Sequence, residues 1–160
     1  MDIRMRELGP DEFDVLDTVF AGLSQESRFT RFHAGIPFLT PAVRRALAAV
    51  DGCRHIAVAA FACGEPIGIA RLVGTRGGPA DLAVEVVDDW QGNGIGTRLV
   101  LAVLERARAV GHTAVTADVL ATNRAVHRLV ARVLPDAVVV EDGVEITYAA
   151  DLSGAPALAA

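Results

Sequence analysis

The sequence predicts an α/β fold in which a single domain holds a mixed, mostly antiparallel twisted sheet and about four helices. Three observations support this prediction. The chain has 160 residues, of which 52% are hydrophobic and 22% charged, as expected for one domain with a sizeable core. Apolar residues alternate with polar ones in some runs and recur every three or four positions in others. The runs follow the order β, α, α, three strands, α, β, α and two strands, which indicates a mixed sheet.

The first third of the chain predicts one strand and two helices. Residues 3–8 alternate between apolar and polar side chains, as in a half-buried strand. Pro10 fits the first turn of a helix whose acidic start and apolar stripe favour packing on a sheet. Residues 24–33 form a polar connection. A second helix begins at Pro41, with Thr40 as its N-cap.

The middle of the chain predicts an antiparallel meander. Its strands cover residues 55–63, 67–73 and 81–87, and turns containing glycine and proline separate them. A glycine-rich turn and a long helix follow. Apolar residues four positions apart form one stripe along this helix, and Gly111 ends it as a C-cap.

The last third of the chain predicts a strand, a helix and a hairpin. The strand covers residues 113–120 and the helix residues 123–133. The hairpin covers residues 137–150, and Asp142-Gly143 is typical of its turn. With the meander, these elements complete one sheet.

Composition excludes several classes of protein. The fifteen basic residues are all arginine, and twenty acidic residues leave a net charge of −5, which disfavours a nucleic-acid partner. The apolar run Ile56–Cys63 is far shorter than a membrane span requires. The N-terminus lacks a secretory signal, so we expect a cytoplasmic protein without a membrane partner. We expect one domain over residues 1–152 and a frayed tail over residues 153–160.

The two cysteines predict neither a disulfide framework nor a metal site. Cys53 and Cys63 stand ten positions apart, without a C-x-x-C pattern or a nearby histidine cluster. We therefore predict that both are small core residues and that the protein has no metal site.

A glycine-rich turn between the third meander strand and the long helix is the most informative segment. Alternate glycines let successive backbone N–H groups point into one concavity, and the helix start adds partial positive charge, so such a turn binds phosphate groups. A P-loop needs a lysine, which this chain lacks, and the spacing departs from the dinucleotide pattern G-x-G-x-x-G. The candidate residues are Gln91, Gly92, Asn93, Gly94, Ile95, Gly96 and Thr97.

The segment 91–96 resembles the Q/R-x-x-G-x-G/A acetyl-CoA signature of the GNAT acyltransferase superfamily, and the order of elements is similar to the GNAT fold. Residues 23–32 and 140–146 resemble bacterial protein lysine acetyltransferases of the single-domain kind. The resemblance implies acetyl-CoA as co-substrate and an amine as acceptor, either a protein lysine or a small amine such as an amino acid, polyamine or antibiotic. A non-catalytic acyl-CoA sensor is the alternative. A homodimer formed through a sheet edge is left open.

The resemblance also implies where acetyl-CoA would bind. Its pyrophosphate would lie on the amides of the glycine-rich turn. The pantetheine arm would follow the end of the preceding strand and bond to the main chain of Val86 and Val87. Asn123 matches an asparagine that approaches the cofactor, and it also fits a plain N-cap of the following helix.

Transfer to an amine requires a base, because a protonated amine cannot attack a thioester. Asp81 and Glu85 share one face of a strand, and Asp81 falls where the resemblance places the base, usually a glutamate. For each, a merely solvated or hydrogen-bonded carboxylate is the alternative. Val130 stands where many GNAT enzymes carry a tyrosine acid. His127 is the candidate substitute, and its alternative is a packed helix histidine.

Overall fold

A seven-stranded sheet forms the centre of the structure, a computed structural model that describes residues 2–153. The predicted tail therefore lies outside the described residues from position 154 onward. The strand order is β1-β2-β3-β4-β5-β7-β6, and in this part of the chain only the β4–β5 pair is parallel. The predicted mixed, mostly antiparallel sheet is confirmed. The strands are β1 (Ile3–Glu7), β2 (His55–Ala62), β3 (Glu65–Val73), β4 (Ala80–Val86), β5 (Ala114–Leu120), β6 (Val138–Asp142) and β7 (Glu145–Asp151).

Within the described residues, five α-helices cover the two faces of the sheet, one more than the sequence predicted. A 3₁₀ turn, Asp88–Trp90, precedes the glycine-rich turn. None of the helices within residues 2–153 is long and apolar enough to cross a membrane. The helices are α1 (Phe13–Ala21), α2 (Gln25–Phe32), α3 (Pro41–Ala48), α4 (Ile95–Ala109) and α5 (Arg124–Val133).

The core has two layers because side chains alternate across the strands. On one face, α4 packs against residues such as Ile56 and Leu72, together with α5. On the other face, Leu16 of α1 packs against Ala57 and Ile69. Neighbouring positions of β2 and β3 thus belong to opposite layers. The predicted apolar stripe of α4 is fully buried: Ile95, Leu99, Val100, Val103, Leu104 and Ala107.

The buried Leu99 makes the stability of the α4 layer measurable. Its side chain lies so close to Gly68 of β3 that a Cβ at Gly68 would come within 2.9 Å of Leu99 Cδ1. We expect Leu99→Ala to lower the free energy of unfolding by about 2–5 kcal/mol, because it removes buried methyl groups and leaves a cavity. Urea denaturation followed by circular dichroism measures this loss. Leu101→Ala, at a half-buried position of the same helix, serves as the control and is expected to cost less. An equal loss of unfolding free energy in the two variants would contradict the assignment of Leu99 to the buried α4 layer.

The first helix begins later than predicted. Pro10 and Asp11 form a turn before it, and Asp11 has a left-handed backbone (φ 61°) that interrupts the helix. Glu12 takes the N-cap position, and its carboxylate accepts from the Gly9 amide at 2.7 Å. At the second predicted helix start the prediction is confirmed, since the Thr40 hydroxyl accepts from Val43 N.

Residues 24–33, predicted as a polar connection, contain the helix α2. Ser24 is its N-cap, and the hydroxyl accepts from Ser27 N at 3.1 Å. The prediction was wrong because most residues of α2 are polar and none is fully buried, so the segment resembles a solvated loop in the sequence. His33 ends the helix in the left-handed conformation.

The prediction that both cysteines are core residues was also wrong, since both thiols are exposed. Cys53 lies in the loop before β2, where its amide donates to Asp51 Oδ1 at 2.8 Å. Cys63 lies in the tight turn between β2 and β3 with a positive φ of 51°. The terminal hairpin exists as predicted, but Asp142 still pairs in the sheet, so its turn lies one residue further along the chain.

Candidate active site

A cleft opens where β4 and β5 separate. These parallel strands pair only through Ala80 with Val115 and Asp81 with Thr116, and beyond these positions they diverge. The gap has a volume of about 710 Å³. β4, β5, α2, α5 and the glycine-rich turn line it within the described residues. The divergence brings together most of the segments that the sequence singled out.

The glycine-rich turn presents free amides at one end of this cleft. Gly92 and Gly94 have φ values of 77° and 76°, which only glycine adopts without strain. Gly94 is the N-cap of α4 and offers no side chain to cap the helix. Within residues 2–153, the amides from Gly92 to Thr97 donate to no backbone or side-chain acceptor. Uncapped amides at the positive end of a fifteen-residue helix form an anion-binding site.

The other residues of the turn hold its shape. Gln91 Nε2 donates to the Val86 carbonyl at 2.9 Å, and Asn93 Nδ2 donates to the Trp90 carbonyl at 3.1 Å. Gly96 lies inside α4, where an added Cβ would come within 3.1 Å of Leu129 Cδ1. The third glycine therefore allows α5 to approach α4, whereas the first two allow the turn itself. Ile95 is buried beneath the turn and Thr97 lines the cleft.

The open edge of β4 offers main-chain groups along the cleft. Val87 N donates to the Ile67 carbonyl at 2.9 Å, so its N–H is used by β3. Because main-chain groups alternate along an antiparallel strand, those of Val86 and Val84 point away from β3, toward the gap. The structure therefore places Val86 on the cleft edge and directs the N–H of Val87 to the sheet.

Asn123 and α5 form the opposite wall. The Asn123 side chain accepts from Val126 N at 3.4 Å, which confirms the N-cap, and the residue also lines the cleft. Three arginines follow it at four-residue spacing on one helical face, and all three are exposed and line the cleft: Arg124, Arg128 and Arg132. This wall is therefore positively charged.

His127 lies on another face of α5 and is not among the residues lining the cleft. Its Nε2 lies 2.9 Å from the Leu120 carbonyl, and its Nδ1 lies 2.7 Å from the Tyr148 hydroxyl. A carbonyl only accepts, so Nε2 carries the proton and Nδ1 accepts from Tyr148. The structure does not bring His127 together with Asp81 and Glu85. Both ring nitrogens, and the only tyrosine hydroxyl, are used in tying α5 to β5 and β7.

Glu85 lies in a buried ion-pair network on the α2 side of the sheet. One carboxylate oxygen accepts from Arg31 Nε, and the other accepts from Arg71 Nη2 at 3.3 Å. Arg71 also donates to the Leu47 carbonyl at 2.7 Å. Burial opposes ionisation of Glu85, but the positive charges of Arg31 and Arg71 outweigh it and hold its pKa below the usual range. A carboxylate with a lowered pKa and two ion-pair partners is a weak base.

The role of Glu85 in stability can be tested directly. We expect Glu85→Gln to lower the free energy of unfolding by about 3–5 kcal/mol at neutral pH, because two buried guanidinium groups lose their counter-ion. A lowered carboxylate pKa stabilises the fold above the unfolded value of about 4.3, and this contribution is lost as the pH falls through the folded value.

Denaturation of wild type and Glu85→Gln at pH 7 and at pH 3.5 measures both effects. The difference between the two proteins should shrink at the lower pH. Glu105→Gln, at an exposed helix position, is the control and should leave stability unchanged. A constant difference at both pH values would contradict the ion-pair explanation.

Asp81 lies at the closed end of the gap, at the last position where β4 pairs with β5, and is not itself among the residues lining the cleft. Partial burial and the nearby Asp118 carboxylate raise its pKa, and they outweigh the opposite effect of Arg31 and His33. Its side chain remains accessible to solvent and forms no ion pair within the described residues. A carboxylate with a raised pKa and no bound cation accepts a proton more readily than Glu85 does.

Sequence reasoning missed several residues of this site. Arg31 faces Glu85 although 54 positions separate them, and no local pattern indicates this pairing. Asp118 lines the cleft and accepts from the Thr147 hydroxyl at 2.7 Å. The polar alternation along β5 was a signal for Asp118. Val84 lines the cleft too, and the strand period of two from Val86 predicts it. Within residues 2–153, no group of three or more metal-ligating side chains is placed to hold a metal ion.

Comparisons with known proteins identify the family. Residues 22–134 match the model of the acetyltransferase (GNAT) family. Among curated proteins, no match was found. The GNAT domain of S. lividans PAT is a similar solved structure, with a TM-score of 0.83 and 24% identity over 93% of this chain and 90% of that chain.

Two further solved structures are similar. The ribosomal-protein-S18-alanine N-acetyltransferase from Escherichia coli has a TM-score of 0.69 and 17% identity over 96% of both chains. A cAMP-binding acyltransferase from Mycobacterium smegmatis has a TM-score of 0.63 and 28% identity over 95% of this chain, which spans only 44% of that protein. Because the family model matches well over half of the sequence, the chain belongs to the GNAT family of N-acetyltransferases.

Proposed function

We propose that this protein transfers an acetyl group from acetyl-CoA to a primary amine by direct attack in a ternary complex. The observation that carries the proposal is the cleft between β4 and β5. It joins the free amides of the glycine-rich turn to the β4 face of Ala83 and Glu85, and Asp81 is the next residue of that face, at the closed end of the gap. Diphosphate binding at the amides and proton transfer at a carboxylate are the two things that acetyl transfer from a CoA thioester needs.

The parts of the cleft have distinct roles in this proposal. The pyrophosphate end of acetyl-CoA binds to the amides of residues 92–97 and to the N-terminus of α5 at Asn123. Gln91 holds the turn in the shape that this binding needs. The main chain of Val86 and Val84 bonds to the pantetheine arm. Val87 contributes little to this binding, because its N–H donates to the Ile67 carbonyl and its carbonyl accepts from Trp90 N.

Asp81 is the proposed base. It accepts the proton of the acceptor ammonium, and the free amine then attacks the thioester carbonyl. The C–N bond forms, the C–S bond breaks, and the second proton of the amine passes through water to the leaving CoA thiolate. An aspartate is one methylene shorter than the usual glutamate, so we propose that a water molecule connects it to the amine. His127 has no direct part in this scheme, because its ring nitrogens are already bonded.

A turnover assay with a panel of amines tests the proposal. Release of the CoA thiol above the rate of hydrolysis without amine, together with calorimetric binding of acetyl-CoA, is the expected result. Binding without turnover for any amine would instead identify an acyl-CoA sensor. Absence of binding would refute the proposal entirely.

Two classes of amine are proposed as the acceptor. A protein lysine as acceptor is supported by the resemblance of residues 23–32 and 140–146 to bacterial protein lysine acetyltransferases. The similar E. coli structure is named for acetylating a protein. A small amine is the second candidate, and the guanidinium of Arg31 in the cleft favours one that carries a carboxylate. Mass spectrometry of a cell extract incubated with the protein and labelled acetyl-CoA distinguishes protein from metabolite acceptors.

A homodimer and a cytoplasmic location stay predictions. β6 is the outer strand of the sheet, and its three valines are exposed. Light scattering of the purified protein measures whether a second copy pairs with this edge. The valines concerned are Val138, Val139 and Val140.

A further inference from the structure

Arg31 and Arg71 share the carboxylate of Glu85 on the α2 side of the cleft, which is called the acceptor side below. The side chains of Arg31, Arg71 and Glu85 are 14%, 4% and 3% exposed. Arg71 alone would neutralise Glu85, so the second guanidinium leaves an excess of one positive charge. Burial and the charge of Arg71 lower the pKa of His55, so this neighbouring imidazole stays neutral and does not change the balance. A partly buried positive charge without a counter-ion of its own favours the binding of an anion.

Arg31 and Glu85 both line the cleft, and Arg71 does not. The Nε of Arg31 donates to Glu85, and its guanidinium lies over the Phe32 ring with Cζ 4.6 Å from the centroid. These two contacts fix its orientation. Its Nη groups have no hydrogen-bond acceptor in the part of the chain that the structure describes. A fixed guanidinium with free donors is well suited to bind a carboxylate through two parallel hydrogen bonds.

Negative groups lie nearby without neutralising Arg31. Asp81 is near enough for its ionisation to respond to Arg31, yet the two do not form an ion pair. Asp118 faces Asp81, and its carboxylate bonds to Thr147. Further out, His33 Nδ1 lies 3.5 Å from Glu145 Oε2. The acceptor side of the cleft therefore has a positive pole at Arg31 and a negative pole at the two aspartates.

Resting on the proposed function, we infer that Arg31 binds a carboxylate carried by one of the two substrates. Two sources supply this chemistry. The acceptor can be an amino acid, whose amine lies toward Asp81 while its carboxylate pairs with Arg31. Alternatively, the acyl group of the CoA thioester can carry a terminal carboxylate, as malonyl and succinyl groups do.

The test compares matched substrates in two arms. In the first, acetyl-CoA is the donor, and amino acids are compared with the corresponding amino acid amides. In the second, neutral primary amines are the acceptors, and acetyl-CoA is compared with malonyl-CoA and succinyl-CoA. We expect the wild type to prefer the carboxylate-bearing substrate by at least about tenfold in kcat/KM in one arm, since a bidentate charged pair contributes about 1.5–3 kcal/mol.

Variants of Arg31 assign the preference to this side chain. Arg31→Gln should reduce the preference to near one, and Arg31→Lys should keep part of it, because it retains the charge but not the fork. Arg71 continues to pair with Glu85 in both variants, and circular dichroism checks that they fold. Arg45→Gln, at an exposed position on α3, should keep the wild-type preference.

The possible results separate this inference from the proposed function. No preference in the wild type, or an equal preference in Arg31→Gln, overturns the role of Arg31 while leaving acetyl transfer intact. Turnover with no substrate pair overturns both this inference and the proposed acetyl transfer. Calorimetry with acetyl-CoA then shows whether the protein is an acyl-CoA sensor.

Discussion

Replacing Gly92 and Gly94 together with alanine should raise the Kd for acetyl-CoA at least about 100-fold. Both residues have positive φ, where a side chain costs about 1–2 kcal/mol per residue, so the turn will relax and turn its amides away from the cleft. Loss of two charge-assisted hydrogen bonds at about 1.5–3 kcal/mol each accounts for the expected change in affinity. Isothermal titration calorimetry measures it.

A matched pair of glycines provides the control. Gly64 and Gly77 also have positive φ, and a Cβ at either would meet nothing within 4 Å, as at Gly92 and Gly94. They lie in turns that do not line the cleft. The double variant Gly64→Ala/Gly77→Ala should lose similar stability but keep its affinity within about twofold. Equal losses of affinity in the two double variants would show that strain, rather than the position of the turn, is responsible.

Replacing Asp81 with asparagine should lower kcat about 10²- to 10⁴-fold, which is the range for loss of a general base. Asparagine keeps the size of the side chain but cannot accept the proton. Acetyl-CoA binding should stay unchanged, because Asp81 lies away from the amides of the turn. Steady-state kinetics at neutral pH and calorimetry with acetyl-CoA measure the two quantities separately.

The pH profile identifies the base more specifically than the rate does. Asp81 acts when ionised, so kcat/KM should fall as the pH drops through its raised pKa. Asp118→Asn removes the neighbouring negative charge and should shift this acidic limb to lower pH without abolishing activity. The Oδ1 of asparagine can still accept from Thr147. An Asp81→Asn variant with the wild-type rate and profile would show that another group is the base.

Most of the sheet could be predicted because its strands are short, apolar and separated by glycine or proline. The same holds for α4, whose apolar residues recur without interruption. α2 could not be predicted in this way, because it packs at the cleft through partly exposed side chains. The start of α1 depends on the left-handed backbone of Asp11, which the spacing of apolar residues does not indicate.

In the candidate site, too, the features that are local in the sequence could be predicted and the others could not. The phosphate-binding turn is a local feature, since its glycines and the helix after them are contiguous in the sequence. The acceptor side depends on contacts between distant segments. Glu85 and Asp81 share a strand face and look equivalent in the sequence, but only Glu85 meets Arg31 and Arg71. Tertiary pairing therefore distinguishes a structural carboxylate from a candidate base, and residue spacing does not.

The divergence of β4 and β5 has a consequence for the order of events. Residues from both faces of the sheet line the opening, with Glu85 and Arg31 on the α2 side and Val84 and Val86 on the α4 side. A thioester donor and an amine would then enter and leave independently, and neither product would have to wait for the other. Free CoA should accordingly compete with the donor while leaving the apparent affinity for the amine unchanged.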